Sequence, residues 1–147
     1  MIAVYFDTAY LLKLYRPEPG SAAVRARAAA ADVLVCSLHG RAELIAAAHR
    51  KVREGTATPA HVDALIAQVA ADRAAGALDW LPITEAHLDR VTTAFRHASP
   101  KVYLRAADAL HLASAAEAGF IEIYSNDRHL LAAAPLFGLR GVNVITA

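Results

Sequence analysis

Short apolar runs alternating with longer stretches of helical periodicity constrain this chain more than any other feature. Ile2 to Phe6 reads as a buried strand that ends at Asp7. Ala9 to Tyr15 then carries Leu11, Leu12, Leu14 and Tyr15 at helical spacing, until Pro17-Glu18-Pro19-Gly20 breaks it. Ser21 is placed to cap a second helix reaching about Ala31. Val33 to Cys36 is the next strand, and Ser37 the expected cap of a helix that runs to Glu54 and stops at Gly55. Thr58-Pro59 starts a helix to about Ala75, closed by Gly76. Leu78 to Leu81 is a short strand. Thr84 opens a helix with Leu88, Val91 and Phe95 on one face, ending before Pro100. Arg105 to Ala118 forms a further helix, stopped by Gly119. Ile121 to Tyr124 is a fourth strand, followed by a short helix through Ala134, and Val142 to Ile145 is the expected last strand. Strands that are apolar on both faces and separated by helices imply a parallel sheet covered on each side.

With 56% hydrophobic and 20% charged residues, the 147 positions are expected to form one domain with a sizeable core, and the disordered class is excluded. No apolar run approaches the roughly 20 residues that span a bilayer, and the start lacks the basic stretch of a signal peptide, so no membrane partner is expected. Cys36 is the single cysteine and lies in an apolar run, which reads as a buried structural thiol in a reducing, cytoplasmic setting. A net charge of +1 neither demands nor forbids a nucleic-acid partner.

Four acids fall where a parallel sheet builds its ligand crevice, beyond the carboxyl ends of the strands. Asp7 follows the first strand and Asp127 the fourth, while Glu43 and Asp108 sit early in helices. Each has an ordinary explanation as a helix cap or as an anion favoured by the helix dipole. Their settings weigh against that. Asp7 ends an apolar strand and Asp108 interrupts Ala106-Ala107-Asp108-Ala109-Leu110, where burying a carboxylate is costly unless something cationic meets it. Lys13 lies too far along its helix, and Arg105 is expected to pair with one acid at most. A divalent cation resolves the repulsion, and all-oxygen ligation selects Mg²⁺ or Mn²⁺, as one or two ions. Phosphodiester hydrolysis is the chemistry that such a site supports.

Other constellations are weaker. The seven histidines share no zinc-protease spacing; His111, one turn after Asp108, is within reach of the crevice, but a core-edge imidazole is the expected reading. Glu117, nine residues after Asp108, falls on the opposite helix face. No glycine-rich dinucleotide or P-loop motif is present. The basic stretches His49 to Arg53 and Arg96 to Arg105 read mainly as solvated helix ends.

The motifs also carry a resemblance. Tyr5-Phe6-Asp7-Thr8-Ala9-Tyr10-Leu11-Leu12-Lys13-Leu14-Tyr15 resembles the opening motif of PIN-domain proteins, especially VapC-type toxins of bacterial toxin–antitoxin pairs. Arg41-Ala42-Glu43-Leu44 is similar to the second acidic motif, Leu104 to Ala113 to the third, and Ser125-Asn126-Asp127-Arg128-His129-Leu130 to the fourth. The resemblance implies a three-layer α/β/α fold around a central, mostly parallel sheet of four to five strands. It implies a Mg²⁺- or Mn²⁺-dependent endoribonuclease, a homodimer, and a cognate VapB-type antitoxin. Asp7 and Asp108 would be the principal metal ligands, Glu43 and Asp127 would complete the acidic set, and Thr8 and Ser125 would orient water or carboxylates. Arg105 is expected to contact the RNA backbone beside the metal. Ser37-Leu38-His39-Gly40-Arg41 departs from the family pattern, and Gly40 is expected to loosen that helix start. Two other readings remain: a catalytically silent PIN module that binds RNA or a protein, and a receiver-like phospho-acceptor domain. The second would need an acidic pair at the first strand and a lysine after the last, and has neither.

Overall fold

In the computed structural model, which describes residues 1–146, the strands are β1 (Ala3–Tyr5), β2 (Val33–Ser37), β3 (Leu78–Leu81), β4 (Glu122–Tyr124) and β5 (Arg140–Val142). Helices α1 (Thr8–Tyr15) and α2 (Ser21–Ala29) follow β1, and α3 (His39–Arg53) and α4 (Pro59–Ala74) follow β2. Helices α5 (Glu85–His97) and α6 (Ala106–Glu117) follow β3, and α7 (Arg128–Ala133) with a 3₁₀ turn at Ala134–Phe137 follows β4.

Every strand pair is parallel: β1 with β2, β2 with β3, and β4 with β5. A single parallel bridge, Phe6 to Tyr124, sets β4 beside β1, and the Asp7 N–H donates to the Tyr124 carbonyl at 3.1 Å. The strand order is therefore β3-β2-β1-β4-β5. The direction of winding reverses between β1 and β4, which is where such sheets open a crevice.

Alternation along the strands builds the three layers. Val4, Phe6, Leu34 and Cys36 face α1 to α4 and pack with Tyr10, Leu11, Val24, Leu44 and Leu65. Tyr5, Val35 and Ile123 face the other way, against Ala109, Leu112, Ala113, Leu130 and Phe137. The alanines of α6 let that helix lie close on the sheet. The expected α/β/α architecture is what the chain adopts, with five parallel strands. Among the described residues, no helix is long and apolar enough to cross a membrane.

Several local expectations need correction. Ser37 does not cap α3; it stays in β2, paired with Leu81, and its N–H donates to the Tyr5 hydroxyl at 2.9 Å. Ser21 is the first residue of α2 rather than its cap, because Gly20 takes the cap position with φ at +92°, a conformation glycine adopts at no steric cost. The last strand comes earlier than expected. Beyond Val142 the backbone leaves the ladder for side chains: the Tyr10 hydroxyl accepts from the Val144 N–H at 2.8 Å, and Asn143 Oδ1 accepts from the Ile145 N–H at 3.0 Å. On α5 the expected apolar face is turned partly outward, with Leu88 and Phe95 about half exposed and Ala94 and His87 buried instead.

Candidate active site

Asp7 sits where β1 ends and α1 begins, and the geometry there explains how one side chain serves two purposes. Its Oδ1 accepts from the Tyr10 N–H at 3.0 Å, capping α1, while Oδ2 accepts from the Ser125 hydroxyl at 2.5 Å. The Ser125 oxygen in turn accepts from the Asp127 N–H at 2.9 Å, so the loops after β1 and β4 are fastened together. Asp127 caps α7 through Oδ1, which accepts from the N–H groups of His129 and Leu130 at 2.8 and 3.1 Å. That leaves its Oδ2 facing Arg105 at 3.5 Å. Asp108, in the first turn of α6, lies 3.2 Å from the Arg105 Nε. Asp7 and Asp127 are thus helix caps, and Ser125 and Arg105 link them and Asp108 into one cluster.

Arg105 is expected from the sequence to reach one acid at most. It reaches two, because as the cap residue of α6 it leaves the helix extended, with its guanidinium between Asp108 and Asp127. Its side chain is 64% exposed, so solvent screens the attraction.

Asp7 is only 5% exposed, and burial is the main reason its carboxyl is pushed up to about 6. The Ser125 hydroxyl, the nearby His111 and the Tyr10 N–H pull it down, and the charge of Asp108 pushes it up again. Asp108 is also raised, first by burial, against the opposing pull of Arg105, with Asp127 adding repulsion.

Glu43 projects from α3 into a second knot of contacts beside this one. Its Oε1 lies 2.6 Å from His111 Nε2, accepts from the Thr8 hydroxyl at 3.0 Å, and is 3.4 Å from His39 Nε2. Thr8 is the chain neighbour of Asp7, which ties the two knots together. Burial opposes ionisation of Glu43, but the His111 and Thr8 bonds overcome it and hold the carboxyl below its usual range. Burial likewise works against a charged His111, yet Cys36 and Glu43 on its two sides hold its pKa above the ordinary imidazole value. His39 is lowered, by burial and then by repulsion from His111.

His111 is therefore not a core-edge imidazole. It is 1% exposed and bonded to Tyr5, Thr8 and Glu43. A signal for this exists in the sequence: one turn beyond Asp108, His111 shares that acid's helix face. Gly40 does not loosen α3 either. A Cβ there would meet Cys36 Sγ at 2.6 Å and His111 Cε1 and Thr8 Oγ1 at 3.1 Å, so the glycine is what lets α3 approach closely enough for Glu43 to reach His111. Glu117 lies away from the crevice, paired with Arg90 at 2.9 Å, as the helical spacing requires. In the basic stretch after His49, Arg50 pairs with Glu54 at 2.7 Å on an exposed helix end.

Comparison with known proteins places this geometry. No curated protein sequence matches. Among solved structures, the chain is similar to that of FitAB bound to an IR36 DNA fragment, with a TM-score of 0.61 and 16% identity, over 98% of this chain and 96% of that one. At that identity the likeness concerns the fold alone. A family model, the PIN domain, matches residues 4–135, from the first residues of β1 to beyond α7. On that match, which takes in all four acids and most of its length, the chain belongs to the PIN-domain family.

Proposed function

We propose that the chain is a Mg²⁺- or Mn²⁺-dependent endoribonuclease and the toxin of a VapBC-type pair, held in check by a VapB-type antitoxin, cytoplasmic and homodimeric. One observation supports the metal reading: buried Asp7 is tied through Ser125 to the Asp127 loop and feels the charge of Asp108, while the arginine between Asp108 and Asp127 is largely exposed and His111, the other nearby cation, is engaged by Glu43. Burial, with mutual repulsion adding to it, raises the carboxyl pKa values of Asp7 and Asp108, so a cation there would relieve both costs. The donors are oxygens at the sheet's switch point, a set that suits a hard divalent ion. Asp7 and Asp108 would hold it, with Glu43 and Asp127 joining directly or through water. When bound, such an ion supplies charge to the phosphate oxygens and acidifies the attacking water.

The remaining roles belong to the chain's own groups. Ser125 fixes the Asp7 carboxylate through its 2.5 Å bond, and Thr8 fixes Glu43. Arg105, exposed at the rim, contacts a substrate phosphate there. The RNA substrate and the toxin role rest on the sequence motifs that resemble VapC-type toxins. The presence of all four acids argues against a silent module.

Purified protein incubated with structured RNAs is expected to cleave in Mn²⁺ and to stop when the ion is chelated. Single- and double-stranded DNA belong in the same assay, since the FitAB neighbour was solved with DNA. Metal-independent binding without cleavage of any RNA would replace the enzyme with the silent module. Arg105→Ala should weaken RNA binding about tenfold, the scale of one lost charge-assisted phosphate contact. Its Mn²⁺ affinity should stay level or rise, because a competing cation leaves Asp108 and Asp127; a marked loss of Mn²⁺ affinity in a calorimetric titration would reject that role.

A further inference from the structure

The knot around Glu43 is built unlike the acidic set beside it. Two imidazole nitrogens, His39 Nε2 and His111 Nε2, converge on the same carboxylate oxygen, at 3.4 and 2.6 Å. The two rings lie 4.2 Å apart between centroids. Thr8 Oγ1 completes the group, 3.0 Å from Glu43 Oε1 and 3.2 Å from His111 Nε2. We propose that His39, His111 and Glu43, with the Thr8 hydroxyl or a water as fourth ligand, form a site for Zn²⁺ or a similar late first-row divalent ion.

The spacing fits such an ion. With bonds of about 2.0–2.1 Å, tetrahedral ligands stand about 3.4 Å apart. Three of the four separations, from 3.0 to 3.4 Å, are close to that, and the 2.6 Å one lengthens when an ion replaces the bridging proton. The chemistry fits too. Imidazole nitrogens suit zinc and its neighbours, whereas Mg²⁺ selects oxygen.

The outer contacts have the form metal-binding histidines use, in which the second ring nitrogen is held by a polar group. His39 Nδ1 is 2.9 Å from the Ser37 hydroxyl, and His111 Nδ1 is 2.8 Å from the Tyr5 hydroxyl. A hydroxyl donates or accepts equally well. Each imidazole can therefore present a lone pair at Nε2. His39 Nε2 must give up the Ala107 carbonyl, now at 2.9 Å, but helix geometry supplies that carbonyl with another donor inside α6. The group is reachable from solvent, since the Glu43 side chain is 34% exposed and that of His39 16%.

His39 belongs to the stretch Ser37 to Arg41 that departs from the family pattern. Glu43 is common to both sites. On the nuclease reading, an ion held by the histidines would take Glu43 from the acidic set and lower Mn²⁺-dependent cleavage.

Binding, not activity, is the test, which keeps it separate from that reading. Co²⁺ serves as the probe because four-coordinate Co²⁺ has strong visible absorption, and Zn²⁺ displaces it for affinity. The wild type is expected to develop the band with about one equivalent of Co²⁺ and lose it to Zn²⁺. His39→Gln, which keeps a donor for the Ala107 carbonyl, should abolish the band and weaken Zn²⁺ more than about a hundredfold, beyond the loss typical of an outer-shell change. Asp108→Asn should leave both unchanged. Absence of the band in the wild type, its survival in His39→Gln, or its loss in Asp108→Asn would each overturn the site. Should His39→Gln fail to fold, the imidazole nitrogen resonances of the wild type decide instead: Zn²⁺ must shift those of His39 and His111, and unmoved signals overturn the proposal.

Discussion

Asp7→Asn is expected to abolish metal-dependent cleavage while making the metal-free protein more stable above pH 6. On the proposed reading Asp7 is a principal ligand, and its removal would forfeit several kcal/mol of charge stabilisation, on the order of a thousandfold in rate. The stability gain comes from the buried carboxyl. Its pKa is about 6 in the fold against an ordinary 3.8, so the folded protein holds the proton more tightly than the unfolded chain does. Wild-type stability is therefore greatest below pH 4 as far as this group is concerned. It falls as the pH rises towards 6 and stays low above it. About two pH units of difference correspond to about 3 kcal/mol. Asparagine mimics the protonated acid, and it caps a helix as well as aspartate does. Thermal melts in chelator from pH 4 to 8 should show the wild type losing stability across that window and the variant flat. Added Mn²⁺ should raise the wild-type Tm and not that of the variant. A variant that melts lower than wild type at pH 8 without metal would mean that the ionised carboxylate is structural.

The second large effect lies at Gly40. An added methyl would sit 2.6 Å from Cys36 Sγ, and Cys36 is fully buried in β2, so either that sulfur or α3 must shift. Gly40→Ala is expected to cost about 1–3 kcal/mol in chemical denaturation, the usual range for an overfilled core. Alanine's better helix propensity offsets up to about 1 kcal/mol of the clash. Cys36→Ala in the same chain removes the obstructing sulfur. The pair should then be non-additive, with a coupling of about 0.5–3 kcal/mol. Because the same methyl presses on His111 and Thr8, both partners of Glu43, Gly40→Ala should also lower cleavage. A variant as stable as wild type would show that α3 moves away without consequence.

The sequence displays the acids more clearly than their surroundings. Asp7 and Asp127 stand at strand ends, and a strand end is a local property, readable from an apolar run and the polar residue that closes it. The sheet's parallel character is legible for the same reason: Val4, Tyr5 and Phe6 are apolar in succession, which only a strand covered on both faces tolerates. His111 is not legible in this way. Its meaning comes from Glu43 and Tyr5, brought to it by β1 and α3 from distant parts of the chain. Arg105 is undervalued by its sequence context because its reach to Asp127 depends on β4 lying beside β1, an adjacency no local pattern encodes. Gly40 looks like weakness in a helix, since a glycine's neighbours across a layer are invisible in a string of letters. The last strand is misplaced for a similar reason: Tyr10 intercepts the backbone that would otherwise have extended it.

The single bridge between Phe6 and Tyr124 is a seam joining two ladders, and the acids straddle it. Asp7 belongs to one side, Ser125 and Asp127 to the other, so an opening of the seam would part the carboxylates. Amide exchange at Asp7, whose N–H crosses that seam to the Tyr124 carbonyl, thus reads the integrity of this acidic corner, and on the proposed reading a cation held from both sides would act as its clasp.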